Sequence, residues 1–186
     1  MPRAVLFNKP YGVICQFSPS PGKQTLKDFV PITGIYPAGR LDTDSEGLLI
    51  LTDDGALQNT ISHPANKWPK TYWVQVENIP DDAALLRLRS GVDLGDFVSA
   101  PATVNLIAEP AGLWERSPPI RVRQRIPTSW LEIEISEGKN RQVRRMTAAA
   151  GFPTLRLIRH RIGHWALAGL GAGQYRLLPA EEMKLW

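Results

Sequence analysis

The chain has 186 residues, 43% of them hydrophobic, and a formal net charge of +4. That length and apolar content suffice for a core of single-domain size. No apolar run reaches the roughly 18 residues of a membrane span, the N-terminal stretch lacks a long apolar leader segment, and the one cysteine, Cys15, rules out an internal disulfide or a multi-cysteine zinc site. The expectation is a cytoplasmic protein. Charge is unevenly spread: between Lys139 and His164 lie seven Lys/Arg and no Asp or Glu, so the rest of the chain carries −3. A concentrated basic surface fits a polyanion such as nucleic acid, although charge alone does not separate that from a merely solvated face.

In chain order, residues 4–7 and 13–17 read as strands flanking a turn at Lys9-Pro10-Tyr11-Gly12. Residues 26–30 form a short helix before Pro31, and Tyr36-Pro37-Ala38-Gly39 is extended. Residues 47–52, short and apolar between turn residues, read as a buried strand, and 56–62 as a helix. Residues 71–76 alternate Tyr72, Val74 and Val76 against Trp73 and Gln75, the pattern of a half-buried strand. Asp81-Asp82 opens a helix that stops near Gly91. Strands are expected over 102–107 and 120–125, separated by a proline-rich loop over 109–119. Residues 130–135 alternate strictly and form a strand. A helix follows over 140–150, with Asn140 as N-cap, Gly151 and Pro153 as its stop, and Val143, Met146, Thr147 and Ala150 facing inward. Strands over 155–162 and 174–178 end the pattern. Many strands with few scattered helices give an α+β class with a mixed, mostly antiparallel sheet.

The densest chemistry lies in Gly39-Arg40-Leu41-Asp42-Thr43-Asp44-Ser45-Glu46-Gly47-Leu48-Leu49. Asp42, Asp44, Glu46, Gly47 and Asp53 match positions 1, 3, 5, 6 and 12 of a calcium-binding loop. The prolines and glycines before Asp42 and the strand pattern after Gly47 deny that loop both of its helices. His160 and His164 have zinc-like i, i+4 spacing, but Gly163 argues against the helix they need. No metal site is expected. A single carboxylate beside an arginine can act as nucleophile or base when the arginine holds it ionised, though such pairs are more often structural.

Gly39-Arg40-Leu41-Asp42-x-x-Ser45-x-Gly47-Leu48-Leu49 resembles the catalytic motif of pseudouridine synthases of the ribosomal small-subunit type. Asn8-Lys9-Pro10-Tyr11-Gly12 resembles the family's N-terminal motif, and Lys70-Thr71-Tyr72 the one that supplies its tyrosine. Glu137-Gly138-Lys139-Asn140-Arg141-Gln142-Val143-Arg144-Arg145-Met146 is similar to its basic helix, and Leu157-Ile158-Arg159 with Ile162-Gly163 to its last motif. All five stand in the family's order.

The resemblance implies the pseudouridine synthase fold, a central sheet with flanking helices and a catalytic cleft. It implies conversion of a uridine in RNA to pseudouridine without cofactor or metal. Asp42 would be the essential aspartate, attacking C6 of the base or C1′ of the sugar, or acting through a glycal; the sequence leaves all three routes open. Tyr72 would stack on the uracil and help remove the C5 proton, and Arg144 would pair with the aspartate. Arg40 would fill the gap left by an extruded nucleotide. Lys9, Lys139, Asn140, Arg141, Arg145, Arg156, Arg159 and Arg161 would bind RNA, the arginines as a phosphate-contacting rim. The stretches 114–121 and 126–130 resemble members acting on the large subunit, which implies 23S ribosomal RNA as partner. With the first motif at Asn8, the chain is expected to be one catalytic domain over 1–186, a monomer without the small basic S4 domain most such members carry. The runner-up enzyme is a member acting on another rRNA site, and the competing class is an RNA-binding module without catalysis; the full set of Asp42, Tyr72 and Arg144 favours the enzyme.

Overall fold

The computed structural model describes residues 3–121 and 123–183. In chain order the strands and helices begin with β1 (Ala4–Lys9), β2 (Tyr36–Pro37), β3 (Glu46–Thr52), α1 (Gly55–Ser62), β4 (Lys70–Glu77), α2 (Asp82–Ser90) and β5 (Thr103–Ile107). They continue with β6 (Thr128–Ile135), α3 (Gln142–Ala149), β7 (Thr154–Ile162), β8 (Trp165–Ala166) and β9 (Tyr175–Leu177). The class is α+β, as expected. The chain forms two compact units, one from 1–68 with 164–186 and the other from 69–163.

In the first unit β1 pairs antiparallel with β3 on one side and β9 on the other, and β2 pairs with β3. Every residue of β1 and β3 is buried, the outcome for apolar runs covered on both faces. One face packs Val5, Phe7, Leu49 and Leu51 against Val13, Leu26, Val30 and Ile35. Asp54 caps α1 by accepting from the backbone N–H groups of Ala56 at 2.9 Å and Leu57 at 3.2 Å.

The charged end of β1 is buried too. Lys9 is 0% exposed. Its Nζ donates to the carbonyl oxygens of Pro10 at 2.9 Å, Val13 at 2.8 Å and Thr43 at 3.4 Å. The Gly12 N–H donates to the same Thr43 oxygen at 2.8 Å. Burial pushes the Lys9 ammonium down from 10.5 to about 8, against the upward pull of the Cys15 thiol and the Glu46, Asp44 and Asp42 carboxylates. The expected strand over 13–17 is therefore absent. Val13 spends its carbonyl on Lys9, the Gln16 N–H turns back to the Ile14 oxygen, and only an isolated bridge joins Ile14 to Thr25.

The second unit orders its antiparallel strands β5-β6-β4-β7. Tyr72, Val74, Val76, Leu131, Ile133 and Leu157 share a cluster with Leu85 and Leu88 of α2 and Val143 and Met146 of α3. The alternation read in β4 is borne out: Tyr72, Val74 and Val76 are buried while Trp73 and Gln75 are half-buried. Asp81 caps α2, and Gly91 ends it at φ +115°, where a Cβ would meet the Ser99 carbonyl oxygen at 2.5 Å. On the other face of β4, the Trp73 and His160 rings stack with centroids 4.2 Å apart, and His160 Nε2 lies 3.2 Å from Glu132 Oε2.

Two further expectations fail. Of the strand over 120–125, Val122 lies outside the described residues, and the rest is loop, with the Ile126 N–H turning back to the Arg123 oxygen. Pro118 and Pro119 before the segment and Pro127 after it bound it with residues that cannot donate to a ladder. The N-cap of α3 is Arg141, in the left-handed region and without a side-chain cap, rather than Asn140.

Lys9 has a lower pKa folded than unfolded, so its contribution to stability is lost as pH falls from 10.5 through about 8. Unfolding free energies of wild type and Lys9→Met, measured by urea titration, should diverge in favour of wild type by up to about 3 kcal/mol as pH rises across that window. A constant difference would contradict the burial of the charge. The His160 pKa lies below 6.5 because burial outweighs the attraction of Glu132 and Glu134, and Arg161 lowers it further. Its contribution is present above about 6.5 and fades at lower pH. His160→Gln should flatten the acid decline in stability by at most about 1.4 kcal/mol per pH unit; an unchanged slope would show that His160 does not titrate on unfolding.

Candidate active site

The acidic loop of the first unit runs from β2 into β3 and is fastened at both ends. The Ala38 N–H donates to the Ile50 oxygen at 2.8 Å, and Gly39 turns the chain at φ +84°. Leu41 is buried, and the Ser45 N–H donates to the Asp42 oxygen at 3.0 Å, closing a turn. Ser45 and Glu46 are buried as the chain enters β3. Asp42 is left half-buried at the edge of the core, with Arg40 exposed two residues before it. The segment after Asp42 is a strand rather than the exiting helix of a calcium loop.

Lys9 holds this loop from beneath by way of the Thr43 carbonyl, and Asp42, Asp44 and Glu46 all act on its charge. A fully buried ammonium is no surface ligand for RNA, so the expected RNA-binding role of Lys9 is corrected to a positioning one. The three carboxylates thus have a common counter-charge, supplied by the end of β1. Asp44 and Glu46 fit the structural part the sequence assigns them.

The second unit gathers cations beside Tyr72. Tyr72 is buried near the start of β4, opposite Ile133 of β6 and Arg159 of β7. Cross-strand partners share a face, so Arg159 stands on the tyrosine's side of the sheet. Lys70, two residues earlier, points to that side as well, and an added Cβ at Gly138 would lie 3.9 Å from its Nζ. Burial, then the Arg159 charge, lowers the Lys70 pKa from 10.5 to about 8. Arg144 is half-buried on α3, whose Val143 and Met146 pack in the same cluster as Tyr72. The strand end and the basic turn 138–141 therefore converge within this unit.

The expected rim is smaller than the sequence suggests. Arg156 and Arg159 are buried. The Arg156 guanidinium donates to the Trp114 oxygen at 3.0 Å and lies 5.6 Å from the Trp114 ring. Arg145 donates to the Leu94 oxygen at 2.9 Å and pairs with Asp96. Arg40, Lys139, Asn140, Arg141 and Arg161 are exposed. Asp42 lies in the first unit, Tyr72 and Arg144 in the second.

Sequence reasoning passed over Lys70 as a site residue although it stands in the quoted tyrosine motif; its burial was not legible there. It also missed Asp96, Phe97, Glu137 and Gln142, which brace the basic turn. The Glu137 carboxylate accepts from the Ala100 N–H at 2.9 Å and from Gln142 Nε2 at 2.6 Å. Among the described residues, no three metal-ligating side chains gather, and no helix is long and apolar enough to cross a membrane.

Comparison with known proteins is consistent along the whole chain. A family model described as RNA pseudouridylate synthase matches residues 3–149. Ribosomal large subunit pseudouridine synthase E of Xanthomonas campestris pv. campestris is 53% identical over 182 residues, covering 97% of this chain and 97% of the relative. The protein of the same name from Vibrio vulnificus is 53% identical over 174 residues, covering 94% of this chain and 74% of the relative. A crystal structure of a pseudouridylate synthase aligns with a TM-score of 0.81 at 27% identity, covering 98% of this chain and 73% of that one. The expected fold is thereby borne out, and the chain belongs to the RNA pseudouridylate synthase family, whose members are enzymes.

Proposed function

We propose that this enzyme converts one uridine of 23S ribosomal RNA to pseudouridine, with Asp42 as its nucleophile. The observation that carries the reading is the acidic loop: it is fastened by Leu41, Ser45 and the Lys9–Thr43 bond, yet leaves the Asp42 carboxylate at the edge of the core. The large-subunit substrate is taken from the names of the relatives that match nearly the whole chain.

The reaction is an isomerisation and balances within the nucleoside. The C1′–N1 bond breaks and a C1′–C5 bond forms, while C5 gives up a proton and N1 gains one. No oxidant, reductant or group donor enters the balance, and the chain's own residues suffice for the proton and charge movements. Ionised Asp42 supplies the electron pair, at C6 or C1′ or by promoting a glycal. Arg144 favours the ionised carboxylate. The Tyr72 ring stacks on the uracil, and its hydroxyl takes part in removing the C5 proton. The uridine is extruded before reaction, with Arg40 holding the space it leaves. Lys139, Asn140, Arg141 and Arg161 contact phosphates, which fix the register of the RNA without reading its bases.

Deleting the gene should remove one pseudouridine from 23S rRNA. The wild-type gene should restore it and Asp42→Asn should not, with in vitro turnover down about 10³-fold or more and RNA affinity retained. Mapping that finds every 23S pseudouridine intact after deletion would refute the substrate, and an active Asp42→Asn would refute the nucleophile. Tyr72→Phe keeps the ring and loses the hydroxyl, so single-turnover rates should drop about 10²- to 10⁴-fold. Wild-type rates would leave the hydroxyl without a chemical task.

A further inference from the structure

The basic turn before α3 is not held by its own capping. Arg141 occupies the N-cap at φ +51°, costly for a side-chain-bearing residue, and its side chain makes no cap hydrogen bond. Added support for the turn comes from a tight hairpin over 91–99, far away in sequence. An isolated bridge pairs Asp93 with Val98, the Leu94 N–H donates to the Phe97 oxygen at 2.9 Å, and Gly95 turns the tip at φ +88°. The Val92 N–H donates to Ser99 Oγ at 2.9 Å and the Ser99 N–H to the Val92 oxygen at 2.9 Å, closing the base.

This hairpin, with Ala100 directly after it, grips the basic segment at both ends. At the start, the Glu137 carboxylate joins the Ala100 N–H to Gln142 Nε2, and Gln142 Oε1 accepts from the Lys139 N–H at 3.2 Å. At the far end, Arg145 donates to the Leu94 oxygen and pairs with Asp96 through both terminal guanidinium nitrogens, Nη1 lying 3.3 Å from Oδ2. Between them, the Phe97 ring lies 3.8 Å from the Lys139 ammonium and 5.3 Å from the Arg145 guanidinium. Asp96 is 65% exposed, and exposed pairs stabilise little. The value of the pair is geometric: it braces from outside a turn that is closed by the Gln142 N–H donating to the Lys139 oxygen at 3.2 Å and has no side-chain cap at Arg141.

We propose that the 91–99 hairpin clamps the basic turn, with Asp96 and Phe97 as positioning residues that keep Lys139, Asn140, Arg141 and Arg144 in their RNA-competent arrangement. Arg145 is on this view part of the clamp and not a phosphate ligand. The inference rests on the RNA-modifying role proposed above and adds residues that the motifs do not contain.

Electrostatics gives the test a sign. Removing the Asp96 charge makes the surface more positive, so a merely decorative acid would on deletion tighten RNA binding and leave turnover alone. Loss of a clamp instead lowers kcat, by about 10- to 100-fold for an ångström-scale displacement, without weakening non-specific binding. The full chain is used. Asp96→Ala and Phe97→Leu should each lower kcat on rRNA and speed hydrogen exchange of the amides over 139–145, leaving exchange in β1 and β3 unchanged. The charge swap Asp96→Arg with Arg145→Asp should restore part of the turnover that Arg145→Asp alone abolishes. Unchanged exchange and kcat in Asp96→Ala would overturn the clamp. A swap as inactive as Arg145→Asp alone would assign Arg145 to the RNA and overturn its bracing role. A wild-type enzyme inactive on 23S rRNA would sink the proposed substrate, while the exchange measurement still decides the clamp.

Discussion

The Lys9 ammonium sits where three stretches of the first unit meet: the end of β1, the turn over 10–13 and the acidic loop. A charge taken wholly out of water costs several kcal/mol unless carbonyls and carboxylates surround it. Here the oxygens of Pro10, Val13 and Thr43 accept its hydrogen bonds, and the carboxylates of Asp42, Asp44 and Glu46 act on its charge. The cost is tolerated because the same ammonium ties down a loop that has no regular structure of its own. Each acid in that loop is then partly balanced, which allows three carboxylates to lie close together beside a fully buried strand. Without a shared cation, their mutual repulsion would work against the turn closed by Asp42 and Ser45.

The same constraint marks how much of the molecule is legible in its sequence. β1, β3, β4, β6 and β7 are readable because apolar runs and alternation report local burial, and α2 because Asp81 and Gly91 carry its cap and stop. The acidic loop is readable by motif. Lys9 is not, because nothing local to an Asn-Lys-Pro turn says that Thr43 and three acids will close over its ammonium. Arg156 and Arg159 mislead for a related reason. Three apart on a strand, they fall on opposite faces, and each face is covered by residues remote in sequence: Trp114 over one, the α3 side over the other. The missing strand over 13–17 is a competition for backbone groups, which periodicity does not register.

These placements change what the basic segment means. Seven cations in the stretch from Lys139 to His164 suggest a broad electrostatic surface, yet Arg156 and Arg159 are buried and Arg145 is paired with Asp96. What is left is Lys139, Arg141 and Arg161, which are exposed, and Arg144, which is half-buried. A surface of so few charges supplies modest non-specific affinity, because each phosphate contact adds only its own increment of counterion release. Charge in such small number carries no sequence information, so any selectivity of an RNA-modifying enzyme built this way falls to the shape of the RNA and to the pocket that receives the base.

The cations beside the tyrosine, half-buried Lys70 and buried Arg159, are placed differently. Lys70 and Arg159 flank Tyr72 on one side of the second unit's sheet, and their closeness helps lower the Lys70 pKa to about 8. Like charges held together in a poorly hydrated place favour any group that brings negative charge or a carbonyl dipole to them. Uracil offers two carbonyl oxygens and gathers negative charge as its glycosidic bond breaks. Cations fixed in advance by the sheet need no reorganisation when that charge appears, which is the condition under which electrostatic stabilisation is most effective. Lys70 and Arg159 are fixed in this way on the tyrosine's side of the sheet, and the lowered pKa of Lys70 records first its burial and then the neighbouring Arg159 charge.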